Sequence, residues 1–154
     1  MALIVKYRSL FSYIMKRKVT KTSLRNKADR LWSSKTKIGI SACQYCGAES
    51  KYLQSHHLIS RSILKYRWNL SNCIVLCPSC HNFGKHSIHT SPWIIDRYIQ
   101  INYPIMFKWF DTNRWDLDAV EFSIDDYRAI VEELEATSTT ATTATTVSTV
   151  STPD

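Results

Sequence analysis

Two Cys-x-x-Cys turns, Cys43/Cys46 and Cys77/Cys80, constrain this chain more than any other feature. Each turn presents two sulfurs to one ion, and together the four complete a tetrahedral thiolate site of the structural zinc type. The competing reading is two unrelated thiol pairs. The apolar stretch near the start is short and no small-residue cleavage site follows it, so no secretory signal is expected. Thiols that stay reduced then read as metal ligands rather than disulfides. The fifth thiol, Cys73, is expected to be a small buried apolar residue. The thirty residues between the turns, 47–76, exceed the spacing of a plain zinc ribbon, and this insertion holds the pair His56-His57. Asn72 stands five residues before Cys77, and His81 follows Cys80 directly. All five cysteines and all five histidines fall between Cys43 and His89.

The remaining sequence reads as what holds this stretch and brings it to a substrate. At 154 residues the chain is expected to form one domain, with a core small enough to need a staple such as a metal. Its net charge of +7 is unevenly spread. Eleven Lys or Arg against the single acid Asp29 give the first forty residues a charge of +10, leaving −3 for the rest. A basic arm on a near-neutral body is the electrostatic footprint of a nucleic-acid or anionic-surface binder, with a solvated helix face as the plain alternative. No run approaches the roughly 18 apolar residues of a membrane span. The expected location is therefore the cytoplasm, without secretion and without a membrane partner.

Four segments are expected. Residues 1–21 form a basic amphipathic arm with Leu3, Tyr7, Leu10 and Ile14 at helical spacing. Residues 22–95 form the core, preceded by a helix over about 23–35 that Thr22 or Ser23 caps and whose stripe is Leu24, Ala28, Leu31 and Trp32. Gly47 suits a left-handed position in the first knuckle. Tyr52–Leu58 reads as a strand ending in the histidines, Ser62–Trp68 as a helical turn or a loop, and Ile74–Leu76 as the return strand. A helix then starts near Pro78. Residues 96–135 continue helical. Pro92 opens the helix that leads into this segment, Pro104 breaks or restarts it, and Met106, Phe107, Trp109 and Phe110 pack inward. Ser123 caps the last helix, with Asp125 and Asp126 in its first turn and Phe122 and Tyr127 as a hydrophobic staple. Residues 136–154 are Thr/Ser/Ala-rich and expected to be a disordered tail. The fold class is thus small α+β, with a strand–loop–strand–helix (ββα) centre.

Neighbours on a strand face opposite sides, so His56 and His57 have different roles: one can bind a metal while the other takes a proton from water. If the two strands pair, Asn72 lies near them, and His81 can bring a second imidazole to the same metal. His86 and His89 stay open between accessory ligand, phosphate contact and plain loop residue. Arg61, Lys65, Arg67 and Lys85 are expected to contact phosphates, positioning a duplex without reading its bases.

At these residues the chain resembles the HNH endonucleases, specifically their four-cysteine zinc subgroup with a ββα-metal fold. The residues that carry the resemblance are His56-His57-Leu58-Ile59, Asn72 and Leu76-Cys77 through Cys80-His81. Lys27–Trp32, Arg67–Leu70 and Lys85–Ser87 add a likeness to phage-type HNH proteins. The resemblance implies DNA as partner, with no small-molecule substrate, and phosphodiester hydrolysis leaving 5′-phosphate and 3′-hydroxyl ends. It implies His56 and His81 as ligands of a catalytic divalent metal, Mg²⁺, Mn²⁺ or another ion. It implies His57 as general base, and Asn72 as a residue that orients the histidine, holds the loop or lies near the metal. Cys43, Cys46, Cys77 and Cys80 would hold structural Zn²⁺. The runner-up is a non-catalytic zinc-ribbon nucleic-acid-binding protein, against which His57 and Asn72 argue. Oligomeric state is not fixed by the sequence.

Overall fold

The computed structural model describes residues 19–136. The amphipathic helix expected in the arm and the Thr/Ser-rich tail lie outside them. The chain folds as small α+β. Helices α1 (Lys21–Lys35), α2 (Pro92–Asn102), α3 (Pro104–Asn113) and α4 (Ile124–Ala136) surround an antiparallel pair, β1 (Gln54–His56) and β2 (Ile74–Leu76). A 3₁₀ turn at Leu64–Tyr66 lies between the strands, and a π-helical turn at Ser79–Phe83 follows them.

Helix α1 starts earlier than the sequence reading has it. Thr20 is the cap: its hydroxyl accepts from the Ser23 amide at 3.1 Å, and the Ser23 hydroxyl accepts from the Thr20 amide at 3.0 Å. Ser23 therefore serves as the reciprocal partner in a capping box and not as the cap itself. At the other end the Thr36 hydroxyl donates to the Trp32 carbonyl at 3.0 Å. Helix α4 begins as expected. The Ser123 hydroxyl accepts from the Asp126 amide at 3.1 Å, the Asp126 carboxylate accepts from the Ser123 amide at 2.7 Å, and Phe122 meets Tyr127 edge-on at 5.7 Å.

The sheet is shorter than Tyr52–Leu58 would allow. Only Gln54↔Leu76, Ser55↔Val75 and His56↔Ile74 pair, because beyond His57 the chain is drawn away to Asn72. Strand β2 matches its expected span, and it is buried on both faces. Val75 faces α1 and α4, joining Ala28, Trp32, Trp68, Tyr127, Val131 and Leu134. Ile74 and Leu76 face the other way, onto Ile88, Ile95 and Ile99 of the α2 side. Each fully buried aliphatic side chain here stabilises the fold by about 1.5–3 kcal/mol relative to exposure. Cys73 is buried in the first of these clusters, in the apolar role expected of it.

Pro104 sits at the first turn of α3, where its missing N–H costs nothing, so α2 stops at Asn102 and the chain restarts. The Tyr103 hydroxyl donates to the Gln44 carbonyl at 3.0 Å, tying this corner to the first cysteine turn. Phe110 is buried with Ile59 and Tyr66, while Phe107 and Trp109 pack against them. Among the described residues no helix is long and apolar enough to cross a membrane.

Candidate active site

Two clusters of metal-ligating side chains form on and around the hairpin. The Sγ atoms of Cys43, Cys46, Cys77 and Cys80 all lie within 4.8 Å of one another, and none forms a disulfide. Local structure explains the convergence. Gly47 adopts φ 72°, which lets its amide donate to the Cys43 carbonyl at 2.9 Å and close the first turn. The Cys43 amide donates to the Ala48 carbonyl at 2.9 Å, and the His81 amide donates to the Cys77 carbonyl at 2.9 Å, closing the second. Burial pushes the Cys43 thiol up, but the backbone amides of Cys46, Cys77 and Tyr45 outweigh it and bring the group to about 7. Burial and the neighbouring thiols push Cys80 well up. Four thiolates this close repel unless a cation sits among them. The Cys46–Cys77 separation of 3.8 Å equals the edge of a tetrahedron with metal–sulfur bonds of about 2.3 Å. The donor set therefore fits zinc.

The second cluster is imidazole. Ring nitrogens of His56, His81 and His89 also lie within 4.8 Å of one another. His56 comes from the end of β1, His81 from the π-helical turn and His89 from the loop before α2. His81 Nδ1 lies 2.6 Å from the Gln54 amide oxygen and 3.2 Å from Asn82 Nδ2; the shorter contact, to an acceptor, favours the hydrogen on Nδ1 and leaves Nε2 its lone pair. That Nε2 is 3.0 Å from His56 Nδ1. Two nitrogens each about 2.1 Å from one ion at a right angle would be about 3.0 Å apart, so the pair fits a shared divalent metal. Burial, then the neighbouring His81, His89 and His57, hold His56 down at about 3. Burial and His89 lower His81 as well. Both rings are neutral at neutral pH, as ligands must be.

Of the two histidines the sequence leaves open, His89 rather than His86 joins this cluster. At Gly84 the chain returns so close to the turn that a Cβ would stand 2.6 Å from the Ser79 carbonyl oxygen. The Ile88 amide then donates to the Cys80 carbonyl at 2.9 Å, setting the next residue, His89, beside His56 at a ring distance of 4.9 Å. His86 is exposed and outside the cluster.

His57 turns to the other side of the hairpin. Its Nε2 lies 2.8 Å from the Arg67 carbonyl, so Nε2–H donates and Nδ1 is left as the acceptor. Its ring stacks on Trp32 of α1 at 3.9 Å and 11°. Burial lowers its affinity for a proton, an effect the Arg67 carbonyl partly offsets. A cleft of 570 Å³ is lined by His56, His57, His81 and His89 together with Trp32 and Arg61.

Asn72 is fully buried, and its side-chain hydrogen bonds go to Ile59 and Tyr66 rather than to the clustered histidines. Its Oδ1 accepts from the Ile59 amide at 2.7 Å, and its Nδ2 donates to the Ile59 and Tyr66 carbonyls, both at 3.0 Å. It holds the inter-strand loop closed, one of the roles the resemblance leaves open. Of the four basic candidates, Arg61 and Arg67 reach the cleft. Arg67 spends its guanidinium internally, on Asp29 at 2.9 and 2.8 Å and on the Arg61 carbonyl at 2.9 Å. Lys65 pairs with Asp116, away from the cleft. Lys85 is exposed on the loop between His81 and His89 and does not line the cleft. Sequence reasoning assigned no role here to Gln54, Asp29 or Trp32. Asp29 and Trp32 do leave a signal, in the Lys27–Trp32 flank that adds to the resemblance, and Asp29 also as the single acid in the basic first forty residues.

Compared with known protein families, residues 43–87 match the model described as HNH endonuclease. No curated protein and no solved structure matches the chain.

Proposed function

We propose that this protein is a metal-dependent endonuclease that hydrolyses DNA phosphodiester bonds, a reading supported by the match of residues 43–87 to the HNH endonuclease model. The observation that supports this reading best is the pairing of two features in one open cleft. His57 has its hydrogen held on Nε2 by the Arg67 carbonyl, and the same cleft is lined by His56, His81 and His89, whose nitrogens converge.

His57 Nδ1, neutral and stripped of competing donors, takes a proton from water as the water oxygen attacks phosphorus. His56, His81 and His89 would hold one divalent ion. When bound, that ion supplies Lewis-acid stabilisation of the phosphate charge and of the leaving oxygen. The exposed Arg61 at the cleft rim meets the phosphate diester and places it. Breaking the P–O3′ bond leaves a 5′-phosphate and a 3′-hydroxyl. Asn72 keeps the loop between the strands closed so that the Arg67 carbonyl stays opposite His57. The four cysteines, in the manner of the four-cysteine subgroup, hold structural zinc and take no part in the chemistry. Three neutral imidazoles without a carboxylate favour Mn²⁺, Ni²⁺ or Zn²⁺ over Mg²⁺ at the catalytic position. A zinc-ribbon binding protein without catalysis needs none of these histidines.

The test is purified wild type and His57→Ala on supercoiled plasmid with Mg²⁺, Mn²⁺ or Ni²⁺, read as nicked against linear product. His57→Ala is expected to slow cleavage by about 10²–10⁴-fold while zinc content and DNA affinity stay unchanged. Cleavage at the wild-type rate removes His57 from the mechanism. A wild type that binds DNA but cuts it with none of these metals is the zinc-ribbon binder instead.

A further inference from the structure

Helix α1 lies outside the matched residues 43–87, yet two of its side chains close around His57. Trp32 covers one face of the ring, and its indole N–H donates to the Asn69 carbonyl at 2.9 Å. The indole plane is thus fixed by the same inter-strand loop that carries Arg67. Asp29, three residues earlier on the helix, presents its carboxylate to that loop. It accepts from Arg67 Nε at 2.9 Å, from Arg67 Nη2 at 2.8 Å and from the Trp68 indole at 2.9 Å. The remaining arm of the guanidinium, Nη1, donates to the Arg61 carbonyl at 2.9 Å. One carboxylate therefore pins two successive residues, and the carbonyl of the first of them accepts the hydrogen of His57 Nε2.

We propose that Asp29 is a positioning residue for the base: by clamping Arg67 and Trp68 it fixes the carbonyl that keeps the His57 hydrogen on Nε2 and its lone pair on Nδ1. The inference rests on the reading of His57 as base. An imidazole ring by itself carries its hydrogen on either nitrogen and turns about its Cβ–Cγ bond. A carbonyl in a fixed place selects one tautomer, and a stacked indole selects one ring plane. Both restraints come from a single helical turn, Asp29 to Trp32. The same geometry gives Arg67 an internal role: its fork is matched to the carboxylate and is not free to grip phosphate. A plain ion pair that only ties α1 to the loop would not need to place the residue-67 carbonyl opposite a catalytic ring.

The experiment uses the full zinc-loaded chain and compares wild type with Asp29→Asn, which keeps the shape and removes the charge. Long-range ¹⁵N–¹H NMR reads the His57 tautomer directly. Wild type is expected to show hydrogen on Nε2 alone, and Asp29→Asn a mixture of the two tautomers. In plasmid cleavage, kcat should fall about 10–100-fold with KM and zinc content unchanged, the usual cost of losing a partner one shell out. Should Asp29→Asn fail to fold, Arg67→Lys keeps the backbone carbonyl, breaks the fork and is read the same way. An unchanged tautomer and unchanged kcat, with only a lower Tm, overturn the proposal and leave Asp29 a structural tie. The tautomer shift is read without DNA, so it stands or falls separately from the His57→Ala test of catalysis.

Discussion

The two ligand clusters share one short hairpin and are held in different ways. The thiol cluster is held by backbone: tight turns at Gly47 and Cys77, and amides aimed at sulfur. Its four ligands are the full tetrahedral set, with no position left for a substrate. The imidazole cluster is held by side chains, with Gln54 fixing His81, and it opens on a cleft. Three ligands leave room for a phosphate oxygen or water. The same chemical principle, a neutral or anionic lone pair aimed at a cation, thus suits a closed staple in one place and, under the proposed function, a reaction centre in the other. What separates them is the count of ligands and the way out to solvent.

Breaking the thiol cluster should have the larger effect. Cys77→Ser is expected to release zinc and unfold the hairpin, because metal binding of this kind, about 10–16 kcal/mol in small zinc units, is folding free energy. Circular dichroism and zinc analysis check this, and a folded, active Cys77→Ser protein would refute the staple. Breaking the imidazole cluster should leave the fold standing. His89→Ala is expected to keep Tm within a few degrees while the metal concentration needed for half-maximal cleavage rises at least about tenfold. An unchanged metal dependence would return His89 to the status of a loop residue. The mildest change is Gln54→Ala, which frees His81 to hold its hydrogen on either nitrogen. Metal affinity should drop severalfold and up to about tenfold, with zinc content constant, as titration calorimetry would measure. Loss of zinc in that variant would mean that the two clusters are not separable.

Much of this was legible in residues close together in sequence. The cysteine turns, the opposed His56 and His57, strand β2 and the Ser123 cap are local patterns, and local patterns survive folding. The chain lost legibility where partners are distant. Nothing in the place of Lys65 and Arg67 near the motif announces the ion pairs they make with Asp116 and Asp29, fifty-one and thirty-eight positions away. His89 outranks His86 only because the chain doubles back at Gly84, which no spacing rule reports. The cap of α1 shifted to Thr20 because a serine can take either side of a capping box.

Strand β2 has a further consequence for the life of the molecule. On one side it pairs with β1. On the other, Gln44 acts as a stand-in strand: its amide donates to the Val75 carbonyl at 2.9 Å, and its side-chain oxygen accepts from the Val75 amide at 2.7 Å. Gln44 is placed there by the cysteine turn in which it sits. The segment Cys73–Cys77 is uncharged, rich in β-branched residues and free of proline, the composition that seeds edge-to-edge aggregation when uncovered. Stripping the metal therefore does more than loosen a hairpin. It removes the guard from this buried apolar strand, so metal-free protein is expected to self-associate, with recovery after chelation depending on how dilute the protein is when zinc returns.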